Sequence, residues 1–286
     1  MTKNIKPKFK TWKGRIMDAR VKERKNYVGA PSAGVGIFRT YKELLKKSIG
    51  KKKKFRALIW GSTPELRDLI LDLKGESVIV DISWEAIQKT SAIMKHQNHH
   101  NEIILKASWF NDLLMDSYFD VALGDLSAVN LTIRNQEKLF KETARLLKSG
   151  GFFILRDVIF NPERDMRKLE DIEFDFLQNT IHWFDMFIDF MLYSDVSRKC
   201  HNPKTGIYDL DELVTELEKA FSQKRISKKS LKLCSWCKGS GIRVFLPRLK
   251  AEKLFKKYFK LISVKQAKDF KFTQDTVIFF FGKKKK

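Results

Sequence analysis

The chain has 286 residues, 43% hydrophobic and 12% aromatic, which excludes a disordered polymer and leaves length for one core plus a cap or insertion. No uninterrupted apolar run approaches the roughly 18 residues of a membrane helix, and the lysine-rich start lacks the apolar stretch of a signal peptide. Three cysteines, an odd number, argue against a disulfide framework, so the expectation is a cytoplasmic protein.

The net charge of +23 is unevenly spread. Residues 1–56 hold 19 basic and 3 acidic side chains, residues 57–197 hold 14 and 23, and residues 198–286 hold 24 and 8. Basic flanks around an acidic centre suit a polyanionic partner, as in an RNA-modifying enzyme. They suit equally a lysine-rich genome, with Lys51 to Lys54 and Lys283 to Lys286 as solvated runs.

Residues 1–54 read as a basic N-terminal arm around Trp12, a loop at Gly29-Ala-Pro-Ser-Ala-Gly34 and a capping helix from Phe38 to Ser48. Phe55-Arg-Ala-Leu-Ile-Trp60 is a short apolar strand ending at Gly61. Ser62 or Thr63 then suits a helix cap and Pro64 a first helical turn. Leu66, Leu69, Ile70 and Leu73 recur at helical spacing before Lys74-Gly75 closes the helix. Ser77-Val-Ile-Val-Asp-Ile-Ser83 is a second strand with Asp81 at its carboxyl end.

Strand, glycine turn, helix and a strand ending in an acid form the nucleoside-binding half of a doubly wound sheet, in which Asp81 accepts hydrogen bonds from ribose hydroxyls. A surface acid after a strand is the plainer alternative. A dinucleotide needs further glycines so that bare backbone meets the pyrophosphate, but Thr63 and Glu65 stand here, and a first-turn carboxylate repels phosphate. S-adenosylmethionine has no phosphate and carries a sulfonium and an ammonium, so it is preferred over NAD.

Ser83 suits the cap of a helix from Trp84 to about Met94. His96-Gln-Asn-His-His100 follows with no cysteine or carboxylate among its histidines, so it reads as a solvated connection and no metal is expected. Glu102 to Ala107 is the third strand; Ser108 and Trp109 follow its end, where Trp109 is either an adenine-stacking ring or a core or lid aromatic. Tyr118 to Asp125 is the fourth strand, which brings Asp125 to the carboxyl edge beside Gly61. Gln136 to Leu147 is an amphipathic helix stopped by Lys148-Ser-Gly-Gly151, and Phe152 to Val158 is the fifth strand.

Residues 160–235 read as a helical insertion. Phe174, Phe176, Leu177, Ile181, Trp183, Phe184, Phe187, Ile188, Met191, Leu192 and Tyr193 make a stretch apolar nearly all round, a buried helix or lid, with His182 and Tyr193 as pocket candidates against an ordinary helical core. A second amphipathic helix runs through Leu210, Leu213, Val214, Leu217 and Phe221. Cys234-Ser-Trp-Cys237 is a lone C-x-x-C, and adjacent Cys200-His201 is a poor partner pair for it on one metal. After Pro247 come a lysine-rich helix to about Tyr258 and two closing strands, Phe259 to Val264 and Thr276 to Phe281.

The run of Arg56-Ala-Leu-Ile-Trp-Gly61, Val80-Asp-Ile-Ser83, Phe119-Asp-Val-Ala-Leu-Gly-Asp125 and Leu146-Leu-Lys-Ser-Gly-Gly-Phe-Phe-Ile-Leu155 resembles the class I S-adenosylmethionine-dependent methyltransferases over about residues 55–160. The resemblance implies an α/β fold, a Rossmann-like three-layer sandwich with a mostly parallel seven-stranded sheet and an antiparallel last strand. It implies a methyltransferase domain over residues 55–286, with the insertion as a lid over the substrate. By position, Gly61, Ser62 and Thr63 face the methionine portion, Asp81 the ribose, Ser108 and Trp109 the adenine, and Asp125 with Leu126 the sulfonium edge, with Ile82 also among the cofactor-binding residues.

Two departures accompany it. The acid usual inside the first strand is Ile59 here, and the second and third glycines of the turn are replaced by Thr63 and Glu65; Glu65 is the residue expected to hold the methionine ammonium. Methyl transfer needs a base only when the acceptor must lose a proton, and Asp125 is the candidate. The expected acceptor is a small molecule; nucleic acid or protein held by the basic flanks, and a non-catalytic protein of the same fold, are the alternatives. Nothing in the sequence fixes an oligomeric state.

Overall fold

The computed structural model describes residues 35–110, 112–266 and 275–284, so the arm around Trp12 and the Gly29 to Gly34 loop lie outside the described residues. Helix α1 (Val35–Ile49) buries Ile37, Tyr41, Leu44, Leu45 and Ile49 along one stripe. Then follow β1 (Arg56–Trp60), α2 (Pro64–Asp72), β2 (Glu76–Asp81), α3 (Trp84–Ser91), β3 (Glu102–Lys106), β4 (Phe119–Asp125), α4 (Ile133–Leu146) and β5 (Leu147–Phe160). Between β5 and the sheet's end stand α5 (Leu169–Leu177), α6 (Trp183–Tyr193), α7 (Ser197–Cys200), β6 (His201–Asn202), β7 (Ile207–Asp209), α8 (Leu210–Ser222), α9 (Lys228–Cys234) and β8 (Ile242–Val244). The chain closes with β9 (Leu246–Pro247), α10 (Arg248–Lys256), β10 (Phe259–Lys265) and β11 (Thr276–Lys283).

The central sheet has the order β10-β11-β5-β4-β1-β2-β3. Strands β1 to β5 pair in parallel, and β11 is antiparallel to both its neighbours, as expected of the last strand. Strand β1 lies between β2 and β4, so the order reverses there, and crevices in open α/β sheets form at the carboxyl ends beside such a reversal. One face packs Ala57, Ile59, Leu123 and Ile154 against α1 and α2; the other packs Leu58, Trp60, Phe153 and Leu155 against α4 and α10. Ile59, where the resembled family carries an acid, is fully buried in the first of these cores, so a carboxylate there would be desolvated.

Three details depart from the sequence reading. Lys74, not Gly75, takes the left-handed backbone (φ +60°) that ends α2; Gly75 is required because a Cβ there would lie 2.4 Å from the Phe55 ring. The Lys148 to Gly151 turn is a bulge within β5, with partners of β4 jumping from Leu147 to Phe152. The long apolar stretch is two helices, because His182 caps α6 through a bond from the Phe184 N–H (3.3 Å).

The helices after β5 and the small antiparallel sheet β6-β7-β8 share a core that runs on through Val244's neighbour Phe245. Within it α6 is buried from Phe184 to Tyr193, which makes Tyr193 part of a helical core, while His182 is the half-buried cap of that helix. No helix of the described residues is long and apolar enough to cross a membrane.

Candidate functional site

The turn after β1 brings three of the sequence candidates together. Gly61 adopts φ +99°, which side-chain-bearing residues seldom reach, and its N–H bonds the Val80 carbonyl at 2.9 Å. The space a Gly61 Cβ would take is 3.9 Å from Trp109 Cζ2 and 4.0 Å from Asp81 Oδ2. The bare glycine, the carboxylate ending β2 and the indole after β3 thus enclose one small volume at the carboxyl edge.

Each wall is fixed by backbone. Asp81 Oδ1 accepts the Ser83 N–H at 2.8 Å, which orients the carboxylate. Trp109 Nε1 donates to the Val80 carbonyl at 2.7 Å, and its ring leans on Trp60, centroids 6.2 Å apart. Ile82 is 57% exposed next to Asp81 and offers an apolar ledge. Ser62 and Thr63 are buried; Thr63 is the N-cap residue of α2 but makes no side-chain capping bond, with Glu65 in the first turn behind it. Ser108 accepts the Phe110 N–H at 3.2 Å and is exposed.

Asp125 ends β4 on the other side of the order reversal. Its Oδ1 bonds Arg156 Nε across the β4–β5 register, and both side chains are 1% exposed. Its Oδ2 is buried without a hydrogen-bond partner among the described residues. Leu126 takes φ +54° with its N–H on the Arg156 carbonyl at 2.9 Å, and its side chain packs on the core of the inserted helices, which also includes Val129. The insertion therefore rests on the loop that leaves β4.

Residues the sequence reading passed over hold this edge. Tyr41 of α1, fully buried, donates to the Gly124 carbonyl at 2.7 Å and accepts the Arg156 N–H at 2.9 Å; burial raises its hydroxyl well above the ordinary value. Ser127 donates to the Trp60 carbonyl at 2.9 Å and ties the loop after β4 to the end of β1. A readable signal existed for Arg156 alone, a charge inside the apolar run Phe152 to Val158.

The adjacent Asp157 points to the other face by strand alternation, and burial pushes its carboxyl up to about 8 against the pull of the Val158 N–H and Arg156. Between its ordinary value of 3.8 and about 8 the native state keeps a proton that the unfolded chain has released, so this group costs stability progressively as pH rises through that window. Asp157→Asn is expected to remove a pH-dependent loss on the order of 5 kcal/mol at its upper end. Urea melts at pH 5 and pH 8 check this, and parallel pH dependences in the two proteins would contradict it.

Among the described residues no three or more His, Cys, Asp or Glu side chains gather as a metal site. His96 bonds Asp72 at 2.7 Å while His99 and His100 stack on each other, and Cys200, Cys234 and Cys237 are buried free thiols.

No family model matches the sequence, and no curated protein matches it. Solved structures match across nearly the whole chain. A methyltransferase from Burkholderia thailandensis, 1,6-didemethyltoxoflavin-N1-methyltransferase, is 9% identical, with 100% of this chain and 99% of that one covered and a TM-score of 0.52. A SAM-dependent methyltransferase from Methanosarcina mazei is 13% identical over 81% of this chain and 93% of that one, TM-score 0.50. The chain has the fold of the class I S-adenosylmethionine-dependent methyltransferases. A Rhodobacter sphaeroides protein provisionally named a Zn-dependent alcohol dehydrogenase also matches, at 11% identity over 96% and 100% of the chains, TM-score 0.56. The methyltransferase fold is thus a widely reused frame, and chemistry has to be argued from the residues of the cleft.

Proposed function

We propose that this protein binds S-adenosylmethionine across the turn after β1 and transfers its methyl group to a small molecule enclosed beneath the inserted helices. The observation that carries the reading is the convergence of Gly61, Asp81 and Trp109 on one volume at the order reversal. Asp81 would accept from the ribose hydroxyls, with Ile82 and Trp109 against the adenine and Ser108 at its rim. Gly61, Ser62, Thr63 and Glu65 would face the methionine end, and Leu126 the sulfonium edge.

The donor set fits this cofactor better than a dinucleotide. Thr63 and Glu65 stand where bare backbone would meet pyrophosphate, and the described residues hold no metal cluster for a zinc dehydrogenase. The orphaned Asp125 Oδ2 is an anionic acceptor suited to the cationic part of the cofactor. When bound, S-adenosylmethionine supplies a carbon already activated by its sulfonium. The chain's own work is to align the acceptor, exclude water and hold counter-charge. With Oδ1 committed to Arg156, Asp125 serves as fixed charge rather than as the base expected from sequence.

The inserted helices beside the site support a small acceptor. Val129, on the loop after β4, belongs to the insertion's apolar core and Leu126 packs against it, so the insertion stands beside that edge, which favours a small acceptor over a bulky polymer. The Burkholderia neighbour holds 1,6-didemethyltoxoflavin together with S-adenosylhomocysteine. In this reading residues 55–286 are the methyltransferase domain with the insertion as lid, and α1 caps its sheet. Three free buried cysteines suit the cytoplasm.

Calorimetry tests the proposal. S-adenosylhomocysteine is expected to bind one to one, and NAD to give no saturable heat. Saturable NAD binding with none for S-adenosylhomocysteine would overturn it.

A further inference from the structure

Residues 57–197 are net acidic, yet α4 gathers four of their 14 cations on one stripe. Arg134, Lys138, Lys141 and Arg145 follow the spacing i, i+4, i+7, i+11, opposite the buried Leu139, Phe140, Thr143 and Leu146. Eleven residues of helix span about 16 Å, enough for several successive phosphates of an extended strand. A genome-wide preference for lysine gives no reason for such alignment within an acidic segment.

The stripe borders a groove of about 1130 Å³, above the usual volume of a small-ligand pocket (roughly 300–1,000 Å³). Lys138, Lys141, Arg145, Lys257, Lys283 and Lys284 line it against the acids Asp112, Asp116 and Glu142. Asp116 and Glu142 both pair with Arg145, and Glu137 pairs with Lys257 at 2.7 Å, so the open charge of the wall is carried by Lys138 and Lys141, with Arg134 beside them on the stripe. Lys138 and Lys141 are exposed and pair with no carboxylate among the described residues. Phe110, 39% exposed, and Tyr258 supply aromatic surface in the same groove.

Exposed lysines in line beside an exposed phenylalanine and a half-buried tyrosine suit a chain carrying both phosphates and stackable bases. An acidic peptide offers carboxylates but no bases for the rings. We propose that this groove binds single-stranded nucleic acid, phosphates along the α4 stripe and a base against Phe110. The surface is distinct from the cleft and independent of what the cleft methylates.

Fluorescence anisotropy of the full chain with a labelled 12-nucleotide oligouridylate, without cofactor, tests it. With three or four phosphates neutralised, affinity is expected to fall about 20- to 50-fold between 50 and 200 mM salt. Lys138→Glu/Lys141→Glu is expected to weaken binding at least 10-fold. Lys42→Glu/Lys46→Glu, the same charge change on α1 across the sheet, is expected to change it less than 2-fold, and Phe110→Ala to cost about 10-fold. Equal losses in the two double variants, or equal affinity for polyglutamate, would overturn the proposal. Lys138→Gln/Lys141→Gln with an unchanged melting temperature guards against a folding artefact; unaltered oligouridylate affinity in that protein would also overturn it. Parallel titration with oligothymidylate tells whether the sugar matters: binding of either single strand supports the proposal, and preference for a duplex of the same length counts against it.

Discussion

Asp81→Ala is expected to weaken S-adenosylhomocysteine binding by about 100-fold or more in calorimetry while moving the melting temperature by less than about 2 °C. A carboxylate accepting from a vicinal diol makes two charge-assisted bonds, each worth roughly 1.5–3 kcal/mol. Asp81 is ready for that: Oδ1 is anchored by the Ser83 N–H at 2.8 Å, and Oδ2 lies 4.0 Å from the place a Gly61 Cβ would occupy. It is only partly buried and sits at a strand end, so its removal opens no core cavity. Asp81→Asn keeps shape but loses charge and one acceptor, and should fall between wild type and alanine. An alanine protein that binds like wild type would remove the ribose assignment, and the cofactor reading with it.

How much of this was legible follows from which signals are local. The alternation of apolar runs with helical periodicities located strands β1, β2 and β4 and helices α2 and α8 to within a few residues, because hydrophobic spacing and turn chemistry act over a single element. Asp81 and Gly61 were legible as a pair because the strand-turn-helix-strand unit joins them through 20 residues of chain. The Tyr41 link to Gly124 and Arg156 was not, since it spans sequence separations of 83 and 115 and exists only once α1 lies on the sheet. Nor was the bareness of β3. Its Ile103 and Ile104 are 56% and 37% exposed, since the described residues between β3 and β4 form no helix to cover them. The apolar sequence there reads as buried strand, and only the missing neighbour decides otherwise.

Arg156→Met is expected to lower stability by about 3–5 kcal/mol, because it strands the Asp125 carboxylate inside a site where both side chains are 1% exposed. The cost is that of an uncompensated buried charge, so Asp125→Asn/Arg156→Met should recover most of it, and a double-mutant cycle should show a coupling of about 2 kcal/mol or more. Urea melts with unchanged slope and shifted midpoint give the numbers. Strict additivity of the two changes would show that the pair is not coupled as its geometry requires. The same proteins separate structure from binding. If Asp125 Oδ2 meets the cationic part of S-adenosylmethionine, then Asp125→Asn/Arg156→Met, which strands neither charge, loses more affinity for S-adenosylmethionine than for the uncharged-sulfur S-adenosylhomocysteine. A uniform loss against both ligands would instead assign Asp125 to holding the β4–β5 edge alone.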